Sequence, residues 1–168
     1  RVADIVLAAD RPRVGVVVSA MGGMTDALGG GYFQELIEGI LTLDCQIVVR
    51  GVGSEEYGKI FTKLEADYGH RVKIIQDEDV MRRKMYASCD MALFFGPDEE
   101  ELLNCLSYAV VPITPEQKHL NNYNPVQESG NAFVADPMDT WSWFAALVRA
   151  LETYKLPYDW RTIQKQAM

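Results

Sequence analysis

The sequence predicts an α/β protein, a Rossmann-like three-layer domain of about six parallel strands flanked by helices. Short β-branched runs alternate with longer stretches of helical periodicity along its 168 residues. Strand–helix alternation of this length implies a parallel sheet covered on both faces. At 48% hydrophobic and 24% charged residues, the length and composition suit one domain spanning residues 1–168 with a sizeable core.

VGVVVS (14–19) reads as the first buried strand. After a glycine-rich stretch, YFQELIEGIL sets Phe33, Leu36, Ile37, Ile40 and Leu41 on one helical face. QIVVR (46–50) is the second strand, and GVGSEEYGKIFTKLEADYGH carries the second helix. Ser54 is its expected N-cap, Ile60, Phe61, Leu64 and Tyr68 keep helical spacing, and Gly69 ends it. VKII (72–75) is the third strand, DEDVMRRKMYASC a short helix, MALFF (91–95) the fourth strand, with a helix from about Asp98. AVVPI (109–113) is the fifth strand, and a polar loop leads to a weak sixth at AFVA. An amphipathic helix from about Asp139 to Tyr154 and a last short helix from Trp160 close the chain.

The formal net charge of −8 disfavours nucleic-acid partners, because the chain repels phosphate backbones. The one basic cluster, Arg82-Arg83-Lys84, reads as a solvated helix face. Cys45, Cys89 and Cys105 are odd in number without CxxC spacing, which predicts free thiols in a reducing, intracellular compartment. His70 and His119 lack ligand spacing, so no metal or cofactor is expected. No apolar run reaches membrane-spanning length. The chain opens on Arg1 without a visible signal peptide, and a removed transit peptide or preceding domain is the expectation.

The glycine-rich turns raise the question of phosphate binding. Gly22 and Gly23 follow the first strand, where a turn needing positive φ competes with an anion site. Gly51, Gly53 and Ser54 follow the second strand and form the better candidate for an anion contact, with a plain turn as the other reading. Asp77, Glu78 and Asp79 read as a helix-capping set in preference to a metal cluster. Trp141, Trp143 and Trp160 offer a sugar platform or core packing. Trp141 and Trp143, two apart, do not share a helix face, so at least one is assigned to the core or an interface.

QIVVRGVGSEEY, DVMRRKMYASCDMALFF, FGPDEEELLNCLSYAVVPI, GNAFVADP and WRTIQKQAM stand in one order. In that order they resemble the C-terminal half of starch and glycogen synthases, retaining glycosyltransferases built of two Rossmann domains. The resemblance implies an ADP-glucose site in the cleft. It also marks departures. In the family a serine, an arginine and a lysine follow the first strand; here Ser19 stands, followed by Ala20, and Thr25 takes the lysine's place. No Lys or Arg lies between Arg13 and Arg50. The family's Glu after the fourth strand is Gly96, and Glu99, Glu100 and Glu101 crowd the next helix's first turn. Asp77 stands near the family's base-stacking Tyr, and 114–131 lacks the T-G-G-L-x-D pattern. Leaving-phosphate charge must be neutralised for transfer, so no catalytic residue is assigned.

RVADIVLAADRPRVGVVVSAMGGMTDAL also resembles aspartate kinases over the first 28 residues, without that family's K-F-G-G-T-S block. This marks Gly29-Gly30-Gly31 as a candidate junction between fused pieces. The leading expectation is a non-catalytic synthase-like domain, a pseudoenzyme that binds or assembles protein partners in a larger complex. The alternatives are the ADP-glucose-binding half of a divergent glycosyltransferase and a fusion carrying an aspartate kinase fragment. Ser19, Gly22, Gly23, Gly51, Gly53 and Ser54 are the residual ligand-binding candidates. The synthase likeness adds plastid stroma to cytoplasm as the expected location.

Overall fold

The apolar runs form strands β1 (Val14–Ser19), β2 (Cys45–Arg50), β3 (Val72–Ile75), β4 (Met91–Phe94), β5 (Val111–Thr114) and β6 (Phe133–Val134). Between and after them lie helices α1 (Gly29–Thr42), α2 (Glu55–Asp67), α3 (Asp79–Tyr86), α4 (Glu99–Ser107), α5 (Thr140–Tyr154) and α6 (Pro157–Ala167). The computed structural model describes residues 14–19, 29–51, 55–75, 78–96 and 99–168. All five pairings are parallel, and the strands form one sheet in the order β3-β2-β1-β4-β5-β6.

Alternation along the strands sends side chains to two cores. Val16, Val18, Ile47, Val49, Met91 and Leu93 face one side with Leu36, Ile37 and Ile40 of α1, Phe61 of α2, Trp143 and Leu147 of α5 and Ile163 of α6. Val17, Val48, Ala92 and Phe94 face the other, with Met85 and Tyr86 of α3 and Leu102 and Cys105 of α4. Every residue of β2 is buried, Gln46 and Arg50 included, as expected of a strand covered on both faces. Pro112 is tolerated inside β5 for a geometric reason. The Val111 N–H bonds the Asp90 carbonyl on the β4 side, so position 112 turns its missing N–H toward β6. There pairing starts only at Ile113.

Helix ends follow local chemistry, with several departures from the sequence reading. Asp139 caps α5 by accepting from the Trp141 N–H at 3.0 Å. Glu78 occupies the N-cap of α3 without a side-chain cap bond, and Asp79 stands in the first turn, ion-paired to Arg82 at 3.6 Å. Asp77 and Ser54, the other expected caps, lie outside the described residues. The Gly29-Gly30-Gly31 run is the start of α1. The last helix begins at Pro157, three residues before Trp160, because proline fits the first turn, where an N–H has no partner to lose. Strand β5 starts two residues later than expected, since Ala109 takes φ 57° to end α4.

The polar loop after β5 is stitched to the C-terminal helix. The Tyr123 hydroxyl donates to Asp159 Oδ1 at 2.8 Å. Gln166 accepts from the Gly130 N–H at 2.8 Å and donates to the Glu128 carbonyl at 3.0 Å. Trp160, Ile163 and Ala167 bury the inner face of α6. The closing segment thus docks on this domain.

Candidate functional site

Strand order reverses between β1 and β4: the chain runs outward from β1 to β2 and β3, then returns to the other side of β1. In open parallel sheets ligands sit outside the carboxyl ends of the strands at such a reversal. Register places Ser19, Arg50, Ile75 and Phe94 in one row across those ends. Ser19 is therefore at the crevice. Gly51, next in line, takes φ 70°, a backbone conformation favouring glycine. Its N–H donates to the Ile75 carbonyl at 3.4 Å, which ties the turn to β3. Gly22, Gly23, Gly53 and Ser54 lie outside the described residues, as do Ala20, Thr25 and Asp77.

Among the described residues of this row, the charged one is Arg50, the last residue of β2. Its side chain is 5% exposed and shares the face of Val48, toward α3 and α4. There Arg50 Nη2 donates to Glu101 Oε1, a carboxylate 12% exposed in the first turn of α4. The pair reaches from the end of β2 past the end of β1 to the helix that follows β4. It therefore spans the crevice.

Three physical consequences follow. A guanidinium at the floor of a phosphate crevice is the side chain best shaped to hold a phosphate's oxygens. Here a carboxylate holds it. Glu99 and Glu100 stand exposed on the same turn, and three acidic residues over the positive end of α4 favour the helix by a few tenths to about 1 kcal/mol each while repelling a further anion. Separating a buried pair leaves an uncompensated charge, at a cost of roughly 3–5 kcal/mol when one partner is removed.

The Arg50–Glu101 pairing has a signal in the sequence: a charge ending a mostly apolar strand is buried with it, and a buried charge needs an opposite one.

Other candidates resolve structurally. Burial pushes the Cys45 thiol up to about 11 and the Cys89 thiol up to about 12, and raises that of Cys105 as well. All three are free and protonated at neutral pH, which suits packing and not nucleophilic chemistry. Among the described residues no group of His, Cys, Asp and Glu could hold a metal ion, and no helix is long and apolar enough to cross a membrane. Trp143 is fully buried against Phe95, ring centroids 4.6 Å apart, whereas Trp141 is 71% exposed. The separation of those two faces is as the spacing required.

Comparison with known proteins fits this geometry. No protein-family model matches the chain. A glycogen synthase of Fervidobacterium nodosum is 30% identical over 153 residues, covering 86% of this chain and 32% of that protein. A glycogen synthase of Bacillus cytotoxicus is 28% identical over 160 residues, covering 90% of this chain and 34% of its own. The chain thus spans about a third of the length of the curated relatives it matches. Among solved structures, the C-terminal domain of a glycosyl transferase group 1 family protein from Francisella tularensis superposes with a TM-score of 0.68 at 12% identity, covering 99% of this chain and 89% of that one. Sequence and fold together mark the chain as a C-terminal glycosyltransferase-type half, Rossmann-like and similar to glycogen synthases over most of its length.

Proposed function

We propose that this glycosyltransferase-type half does not transfer sugar and serves as a binding or assembly module within a larger complex. The observation that carries the proposal is the Arg50–Glu101 pair across the crevice. Transfer from a nucleotide sugar needs positive charge on the leaving phosphates. The stretch after β1 supplies no Lys or Arg before Arg50, and Arg50 is held by an internal carboxylate. Glu99 and Glu100 on the same turn add repulsion. Exposed apolar side chains at the start of α5, Met138 and Trp141, support a protein-facing role.

The doubly wound strand order and the likeness to glycogen synthases favour a second reading, the donor-binding half of a divergent transferase. Titration calorimetry of the chain with ADP, UDP and their glucose conjugates separates the two. Absence of heat up to millimolar ligand supports the module. Micromolar binding supports the donor half and overturns the proposal.

A further inference from the structure

Arg50 is an unusual choice for the end of a buried strand. Its side chain is only 5% exposed, so its charge is retained at the cost of desolvation. A planar guanidinium pairs with carboxylate and phosphate through the same forked geometry. The group that occupies it, Glu101, is a carboxylate carried on the first turn of the helix after β4, where the amides of a doubly wound fold point at phosphate.

A second, independent feature lies beside the pair. Tyr86 is 2% exposed, and its hydroxyl has no hydrogen-bond partner among the described residues. It sits close enough to Arg50 and Glu101 for both charges to act on its phenol. A buried hydroxyl without a partner is unfavourable, and an anion's oxygen at this place would accept from it. Alongside runs a cleft of about 210 Å³ between α3 and α4, lined in part by Tyr86, Glu100 and Asn104.

From these we infer that Arg50 is a masked phosphate-binding residue: Glu101 holds its guanidinium as an internal stand-in for a phosphate group, and withdrawing that carboxylate opens a phosphate site at the carboxyl end of β2. The inference rests on the reading that the crevice of the resting chain is closed.

The test uses the whole chain and three forms: unaltered, Glu101→Gln, and Glu101→Gln combined with Arg50→Gln. ADP and inorganic phosphate are titrated into each, and melting midpoints are compared in phosphate and in chloride of equal ionic strength. Glu101→Gln should bind ADP at least about tenfold more tightly than the unaltered chain, about 1.4 kcal/mol, and phosphate should raise its midpoint. The double variant should lose both effects. Adding Tyr86→Phe to Glu101→Gln should weaken the gained binding. If Glu101→Gln does not fold in chloride, recovery in phosphate supports the inference and failure in both salts overturns it. A silent unaltered chain with an equally silent Glu101→Gln overturns the masking alone. Micromolar ADP binding by the unaltered chain strikes instead at the functional proposal.

Discussion

At the level of single residues, backbone geometry and burial set the sharpest expectations. Gly130 has φ 118°, and a Cβ placed there would meet the Tyr123 Cα at 2.5 Å and the Asn122 carbonyl oxygen at 2.7 Å. Gly130→Ala should therefore cost roughly 3 kcal/mol, read as a fall in the urea midpoint. Ala109 presents the opposite case. It holds φ 57° at the end of α4, with its N–H on the Leu106 carbonyl at 2.9 Å. Ala109→Gly should stabilise by about 0.5 kcal/mol, the relief of left-handed strain outweighing the added freedom of the unfolded chain. A lower midpoint for Ala109→Gly would contradict this.

Asp90 yields a pH dependence. Burial raises its carboxyl above the ordinary value, and bonds from the Gly15 N–H at 3.1 Å and the Tyr154 hydroxyl offset only part of that. The folded state thus holds the proton where the unfolded chain has released it. Stability contributed by this group is present at low pH and falls as pH climbs from the ordinary carboxylate value through the raised one. Asp90→Asn, which cannot titrate, should flatten that slope in thermal midpoints measured across the acid range. An unchanged slope would sink the assignment.

At the level of elements, the joints matter most. Arg71, just before β3, donates from Nη1 to the Leu41 carbonyl at 2.8 Å and from Nε to the Cys45 carbonyl at 3.3 Å, and it also reaches the Leu43 carbonyl. One guanidinium therefore closes the end of α1 and fastens it to β2 and β3. Arg71→Ala should cost roughly 2–3 kcal/mol. Arg71→Lys should recover only a fraction, since an ammonium cannot reproduce the planar fork. Equal stability of the Lys variant and the unaltered chain would show the fork to be dispensable.

Elements also show what the sequence made legible. Strands β1 to β4 were readable within a residue or so, because each is a short, mostly apolar, β-branched run bounded by turn residues. The start of α6 was misplaced because Pro157 reads as a breaker when its neighbours are unknown, yet it fits a helix's first turn. Stitching of the 115–132 loop to Gln166 and Asp159 was not legible. Those bonds join residues some 36 apart, and no local pattern announces a glutamine that serves a distant backbone. For the candidate site, the acidic turn and the lack of cations after β1 could be read directly. The Arg50–Glu101 contact, 51 residues apart, needed the strand order that carries both ends to one edge.

At the level of the molecule, a fold similar to a glycosyltransferase half carries a closed Arg50–Glu101 pair at its strand ends. The architecture is retained in strand order and layer arrangement. On the proposed reading the fold serves as a scaffold and the Arg50–Glu101 pair stays closed; on the second reading Glu101 gives way when a diphosphate settles.

The most direct measurement is a crystal structure of the chain grown and soaked with millimolar ADP. The Arg50–Glu101 pair should remain closed, with no diphosphate over the ends of β1 and β4. A diphosphate seated there, with Glu101 turned away from Arg50, would contradict the account.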